Sequence, residues 1–165
     1  MAKKPITSEA ACLKMASLCS RSEQCEADIL KKLMNLGLSS GDRKEVMEYL
    51  KEERYVDNHR FAGSYARDKA RFSSWGPLKI KAMLISKRIP SAIITEALRS
   101  VESQVWKDGI NKLAAAKSKS LDLTGNDGRE DRIKLYRYLL GRGYTSAQSI
   151  ETVRNMRTLQ EESQK

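Results

Sequence analysis

The sequence predicts an all-α protein, built as a tandem array of three three-helix repeats that form an elongated, curved molecule. The chain is rich in Leu, Ala, Lys, Glu and Arg, all good helix formers, and contains only 3 prolines in 165 residues. No useful length of sequence alternates apolar and polar residues with the period of two that marks a strand. One apolar pattern also recurs three times, as it does in helical repeat arrays.

The recurring pattern is an apolar helix that stops at a break and is followed at once by a new helix start. It occurs in "ADILKKLMNLGLS", "LKIKAMLISKRIP" and "RIKLYRYLLGRGYT". The segments align on paired apolar residues, which we expect in the core: Leu33/Met34, Leu84/Ile85 and Leu139/Leu140. The breaks fall at one equivalent position: Gly37, Arg88 and Gly143. Ser, Pro or Thr then starts the next helix, as these residues commonly do.

Each recurring helix is preceded and followed by another amphipathic run. The preceding helices are predicted at roughly 8–20, 57–72 and 102–120, and the last following run should bury Ile150, Val153 and Met156. The repeats are therefore predicted at 8–56, 57–101 and 102–158. Residues 159–165 form a tail that we expect to be frayed. We interpret "SSGD" (39–42) as an insertion in the first repeat and "DLTGNDG" (122–128) as a loop.

The net charge of +10 favours an acidic partner such as a nucleic acid or a nucleoprotein. The excess is unevenly distributed. Residues 57–101 contain 9 Lys/Arg and only 3 Asp/Glu, whereas residues 1–56 are nearly balanced, with 10 and 9. The basic charge is thus concentrated in the middle third of the chain.

No pattern of catalytic or metal-binding residues is found. Phosphate-binding glycine motifs and HExxH are absent, and the single histidine, His59, falls on the polar side of a predicted first turn. Three cysteines without a CxxC favour small buried side chains over zinc or disulfides: Cys12, Cys19 and Cys25. We expect no enzyme, no metal and no cofactor. There is also no export signal and no apolar run near the ~20 residues of a membrane span.

The stretch "VDNHRFAGSYARDKARFSSWGP" (56–77) predicts a helix capped by Asp57. On a helical wheel Phe61, Tyr65 and Phe72 share an arc, which we expect to be core, together with three alanines. The arginines lie roughly opposite. Trp75 is either a packed cap over the helix junction or an exposed stacking platform, and packing is favoured.

The candidate contacts to nucleic acid or a protein partner are basic residues on non-core faces. They suit phosphates because Arg and Lys form charge-assisted bonds without demanding a base sequence. The set comprises Arg60, Arg67, Arg71, Lys79, Lys81, Lys87, Arg88, Lys134, Arg137 and Arg142.

At these residues the chain resembles the RecX family, regulators of the RecA recombinase in bacteria. The motifs that carry the resemblance are "LKKLMNLGL", "YVDNHRFAGSYARDKAR…WGPLKIKAMLISKRI" and "LYRYLLGRGYTSAQSIETV". Family members show a D-x-x-R-F-A helix followed by a G-P-x-x-I helix, inside three tandem three-helix repeats. The similarity extends over about residues 9–157. The "SSGD" segment and a glycine within the first of these helices depart from the pattern.

The resemblance implies a non-enzymatic regulator that binds the RecA–DNA filament in its groove and reduces its ATPase and strand-exchange activities. It therefore implies roles in recombination, DNA repair and the SOS response, a cytoplasmic location, and DNA contacts that are independent of sequence, single- or double-stranded. We expect a monomer without membrane contacts. The alternative is a stand-alone helical DNA-binding protein, although no helix concentrates the side chains typical of major-groove reading.

Overall fold

The computed structural model describes residues 6–164, which form nine α-helices and no strand. The helices are α1 Ser8–Arg21, α2 Glu26–Asn35, α3 Ser40–Glu52, α4 Asn58–Ser73, α5 Pro77–Ser86, α6 Ser91–Arg99, α7 Ser103–Ser118, α8 Arg129–Gly141 and α9 Ser146–Ser163. The all-α prediction is confirmed, and the predicted loop at 122–128 is indeed non-helical.

The three predicted breaks share one backbone conformation. Gly37, Arg88 and Gly143 all have positive φ, at +79°, +57° and +94°. In the second break the Ile89 amide donates to the Leu84 carbonyl at 3.1 Å. In the third break the Tyr144 amide donates to the Leu139 carbonyl at 3.3 Å. This left-handed residue closes the helix end, and glycine adopts it at the lowest cost. Arg88 is the one member of the three that carries a side chain there.

The helices that follow the breaks start as the sequence predicts. Ser39 and Thr145 cap α3 and α9 by accepting hydrogen bonds from the amides of Asp42 and Gln148. Gln148 returns a contact to the cap, which completes a capping box. The interpretation of "SSGD" as an insertion is wrong, because Ser40, Gly41 and Asp42 form the first turn of α3.

The chain divides into two compact units. One contains the chain up to Tyr65 together with Leu84–Ala97, and the other contains Ala66–Met83 and the chain from Leu98 onward. The boundaries of the three predicted repeats, and the elongated shape, stay predictions. The core of the first unit comprises Ala11, Met15, Ile29, Leu33, Leu38, Val46, Met47, Leu50 and Val56. A cluster in the second unit comprises Ile110, Ala114, Leu123, Leu135, Leu139, Tyr144 and Val153.

Only the first residue of each predicted apolar pair is in the core. Leu33, Leu84 and Leu139 are fully buried, whereas the residues that follow them are exposed: Met34, Ile85 and Leu140. Successive residues are about 100° apart around a helix, so the second side chain turns away from the core.

The buried face of α9 also differs from the prediction by one position. Ser149, Thr152 and Val153 are buried, Met156 packs against the same core, and Ile150 is exposed. The predicted frayed tail is helical as far as Ser163.

Gln160 explains why α9 continues. Its amide nitrogen donates to the carbonyls of Ser118 and Leu121 at 3.2 and 3.0 Å, and its amide oxygen accepts from the Leu123 amide at 2.9 Å. These bonds fasten the final turns of α9 to the segment after α7. Between residues 6 and 164, no helix is both long and apolar enough to cross a membrane.

Candidate nucleic-acid interface

Helix α4 begins at Asp57 as predicted. Its carboxylate accepts hydrogen bonds from the amides of His59 and Arg60, at 2.8 and 3.1 Å. The bond from the Arg60 amide and that from the His59 amide hold the pKa of Asp57 below its usual range, against the opposing effect of burial. Phe61 is buried and stacks on the half-buried Tyr65 with ring centroids 5.6 Å apart. The core role predicted for Phe61 is confirmed.

Phe72, predicted to be in the core, is 81% exposed, so that prediction is wrong. The reason is a rotation of the buried stripe along α4. Ala62, Ala66 and Ala70 are buried at a spacing of four, which advances the buried face by about 40° per step. Two residues beyond Ala70, Phe72 lies about 160° away from it. The phenyl ring therefore faces solvent at the end of α4.

The turn between α4 and α5 is fixed against the end of α8. The Gly76 amide donates to the Arg142 carbonyl at 2.8 Å, and the Leu78 amide donates to the Gly143 carbonyl at 2.9 Å. A Cβ at Gly76 would overlap the backbone of Gly143, and a Cβ at Gly143 would overlap Lys79. These two glycines allow the backbones to approach this closely.

The same turn is held by two side chains from the segment after α8. The guanidinium of Arg142 donates to the Ser73 carbonyl at 2.5 Å, and the Tyr144 hydroxyl donates to the Ser74 carbonyl at 3.2 Å. Burial raises the pKa of Tyr144 to about 12, so the hydroxyl stays a donor at all physiological pH values. Ser74 itself has a φ of +50°. These hydrogen bonds hold the turn that carries Trp75 rigidly against the end of α8.

Trp75 is half-buried, and its indole attracts two lysines. The ammonium of Lys79 lies 4.4 Å from the ring centroid and that of Lys69 lies 5.0 Å from it. Such contacts are cation–π interactions, worth about 0.5–1 kcal/mol at exposed sites. Because two lysines already contact its indole, Trp75 is not a free surface for stacking.

Several predicted contact residues are occupied by contacts within the protein. Arg60 donates to Glu23 at 2.6 Å and to the Arg54 carbonyl at 3.0 Å. Lys134 pairs with Asp131 at 2.7 Å, and Arg71 lies 3.7 Å from Glu102 while remaining exposed. These contacts reduce what the three basic side chains offer to a partner.

Lys87, another predicted contact residue, is also engaged within the protein. Its ammonium is 2.6 Å from a carboxylate oxygen of Asp28 and 5.6 Å from the centroid of the Phe61 ring. Burial raises the pKa of Asp28, but the hydrogen bonds from Lys87 and Cys25 and the lysine charge outweigh it, and the net pKa is lowered. Burial lowers the pKa of Lys87, yet Asp28 reverses this and the net pKa is raised. Lys87 is primarily a structural residue of the first unit.

The four remaining predicted residues are accessible to solvent to different extents. Lys81, Arg88 and Arg137 are exposed and Arg67 is half-buried. Within residues 6–164 none of these four forms an ion pair. Arg60, Lys87 and Arg88 belong to one compact unit, and the other seven belong to the second unit. The binding role of the whole set stays a prediction.

The predicted set of contact residues lacks two side chains beside the turn between α4 and α5: Lys69 and Phe72. The signal that could identify Phe72 is the alanine stripe at 62, 66 and 70, whose spacing of four predicts a rotating buried face. Lys69 becomes recognisable only through its contact with Trp75, since that contact depends on the turn.

In residues 6–164 no group of three or more His, Cys, Asp or Glu side chains could hold a metal ion. His59 lies 3.4 Å from Glu96 at the surface. Cys25 is buried, while Cys12 and Cys19 are half-buried. Burial raises the pKa of all three thiols, which keeps them protonated near neutral pH.

Comparison with known proteins gives one consistent result. Residues 57–98 match the family model "RecX, second three-helix domain". The chain is 32% identical over 124 residues to "Regulatory protein RecX" of Clostridium tetani (strain Massachusetts / E88), covering 75% of this chain and 56% of that protein. It is 30% identical over 124 residues to the protein of the same name of Clostridium botulinum (strain Eklund 17B / Type B), covering 75% and 58%. The chain thus spans little more than half the length of these relatives.

A solved structure shows the same fold. The crystal structure of RecX from Lactobacillus salivarius superposes with a TM-score of 0.78 at 19% identity, covering 90% of this chain and 95% of that one. Sequence, family model and fold agree, and the chain therefore belongs to the RecX family of regulatory proteins.

Proposed function

We propose that this protein regulates the RecA recombinase by binding the RecA–DNA filament in its groove and reducing ATPase and strand-exchange activity. The observation that carries the proposal is the match of residues 57–98 to the second three-helix domain of RecX. The same part of the chain, residues 57–101, contains most of the excess positive charge. The protein would act as a monomer, in the cytoplasm where recombination occurs, and would do so by binding, without chemistry of its own.

The distribution of charge supports a contact with DNA or with a nucleoprotein. Arg67 and Lys81 project from α4 and α5 without an ion pair within residues 6–164. Lysines and arginines of this kind neutralise phosphates and release counterions, independently of base sequence. A regulator of a DNA-bound filament needs this property, since its target differs in sequence from site to site.

The experiment is co-sedimentation with filaments of the cognate RecA assembled on single-stranded DNA with a non-hydrolysable ATP analogue. We expect the protein in the pellet with filaments and in the supernatant with RecA alone. A protein that stays in the supernatant in both cases would contradict the proposal. Tight binding to one particular duplex at physiological salt, without filament binding, would instead favour a stand-alone DNA-binding protein.

A further inference from the structure

The geometry points to Phe72 as a base-stacking residue, within a single-stranded nucleic-acid subsite formed by the end of α4 and the following turn. The inference goes beyond the proposed function because it concerns the protein alone and does not require the filament. Its starting point is an aromatic ring that is 81% exposed in the most basic third of the chain. Unlike Phe61, which is buried, Phe72 is accessible to a ligand.

Positive charge is built around this ring. Lys69 is one helical turn before Phe72, a spacing that places the two Cβ atoms about 5–6 Å apart. The Lys69 ammonium is directed to Trp75, three residues after Phe72, where it shares the indole with Lys79. Arg71 is adjacent and exposed, with the exposed carboxylate of Glu102 3.7 Å from its guanidinium. The one carboxylate among the neighbours on α4 is that of Asp68, four residues before Phe72.

The support of the subsite is rigid. The segment from Ser73 to Leu78 is tied to the end of α8 by four hydrogen bonds, and two glycines leave no room for it to shift. The indole of Trp75 is half-buried and engaged by both lysines, so Phe72 is the ring left accessible to a base. Exposed aromatic rings beside cations, on a rigid support, are what binding of single strands uses.

The ligand class follows from the chemistry. A phenyl ring stacks on any base, but only on one that is unpaired, and lysines recognise phosphates without base preference. A duplex hides its base faces and would gain nothing from Phe72. We therefore expect single strands to bind independently of sequence, with stacking added to the electrostatic attraction.

The test measures fluorescence anisotropy of a labelled oligothymidine of about 15 nucleotides. Phe72→Ala should weaken binding about 5- to 150-fold, the equivalent of roughly 1–3 kcal/mol for a stacked base. Phe72→Leu, which keeps apolar bulk without a π face, should lose nearly as much. Phe72→Trp should bind at least as well as the wild type and show additional tryptophan quenching.

Thermal melts of the Phe72 variants should be unchanged, because the ring makes little contact with the core. Leu159→Ala is the matched control, because Leu159 is also apolar and exposed but lies on α9. This variant should bind like the wild type.

A second probe separates stacking from other effects. On an oligomer with abasic sugars, wild type and Phe72→Ala should bind equally, because no base is present to stack. Equal binding of wild type and Phe72→Ala to oligothymidine overturns the inference, as does a wild type that does not bind it at low salt. So does a Phe72→Leu variant that binds like the wild type. If Phe72→Ala binds oligothymidine normally but no longer sediments with filaments, the ring contacts protein and the inference fails while the proposed function stands.

Discussion

At the scale of single residues, glycine is favoured at the helix breaks for different physical reasons. Gly37, Arg88 and Gly143 all have positive φ, yet a Cβ at Gly37 would meet nothing within 4 Å, whereas at Gly143 it would overlap Lys79. At the first site glycine is favoured by backbone conformation alone. Conformation and close approach together require it at the third.

Alanine substitutions at Gly37 and Gly143 should therefore destabilise the protein to different extents. Gly37→Ala should lower the free energy of unfolding by about 1–2 kcal/mol, the cost of a left-handed non-glycine residue. Gly143→Ala should lower it by about 1–3 kcal/mol more, because the methyl group overpacks against Lys79. Urea denaturation of both variants provides the measurement. Equal losses of stability would mean that α5 and the end of α8 do not approach as closely as described.

The Asp28–Lys87 pair predicts a pH dependence. The pKa of Asp28 is lowered in the folded state, so its contribution is present above the unfolded carboxyl pKa and is lost as the pH falls through the folded value. The pKa of Lys87 is raised, so its contribution is complete below 10.5 and is lost as the pH rises through the folded value. The pair thus stabilises across the neutral range.

Asp28→Asn should therefore cost on the order of 1 kcal/mol at neutral pH, a modest value because both side chains are partly exposed to solvent. The difference from wild type should shrink at acidic pH, as the pH falls below the unfolded carboxyl pKa towards the lowered folded value. Chemical denaturation at the two pH values measures this. A difference that stays constant with pH would show that the pair contributes no electrostatic stability. The exposed pair Lys44–Glu48 offers a control, since Glu48→Gln should change little at either pH.

At the scale of the helix, α4 contains two phenylalanines with opposite roles. Phe61 is 7% exposed and stacks on Tyr65, while Phe72 is on the solvent side. Phe61→Ala should lower the free energy of unfolding by about 3–5 kcal/mol, as expected for a large buried ring. Phe72→Ala should leave it within about 0.5 kcal/mol of the wild type. Thermal or urea unfolding of both variants decides the matter, and a large destabilisation by Phe72→Ala would restore it to the core.

The helices could be predicted from sequence because their signals are local. Asp57, Ser39 and Thr145 cap helices through bonds that span two or three residues, and the breaks at Gly37 and Gly143 depend on one backbone angle. Such features need no knowledge of distant parts of the chain. Most helix starts and ends therefore agree with prediction, except at the start of α3 and the end of α9.

The faces of the helices and the candidate site are harder to predict because they depend on distant partners. The aromatic arc misplaces Phe72, since the stripe of alanines sets the buried face of α4. The prediction of fraying after residue 158 fails because Gln160 bonds to backbone about forty residues away. Likewise, Lys87 and Arg142 have the sequence pattern of surface cations, and only the folded chain reveals Asp28 and Ser73 beside them.

At the scale of the whole molecule, the excess of positive charge in residues 57–101 predicts a salt-dependent interaction with DNA. Replacing Arg67 and Lys81 together with alanine should reduce the slope of log affinity against log salt for single-stranded DNA by up to about 1.4, or about 0.7 for each phosphate that is no longer neutralised. Arg60 is left in place because Glu23 and two backbone carbonyls already engage it.

The matched control removes the same charge elsewhere. Lys31 and Arg154 are exposed, lie outside the basic middle third and form no ion pair within residues 6–164. Their double replacement with alanine should leave the slope nearly unchanged. Equal slopes for the two double variants would show that only net charge matters and that the basic middle third is not a binding surface.

The proposal that this RecX family protein regulates RecA is tested most directly by the ATPase rate of the cognate RecA on single-stranded DNA. The protein should lower that rate as it is titrated, and the Arg67→Ala/Lys81→Ala variant should require a higher concentration for the same effect. RecA turnover without the protein, and turnover with the Lys31→Ala/Arg154→Ala variant, provide the references. An ATPase rate that stays constant up to a clear excess of the protein over RecA would contradict the proposed function.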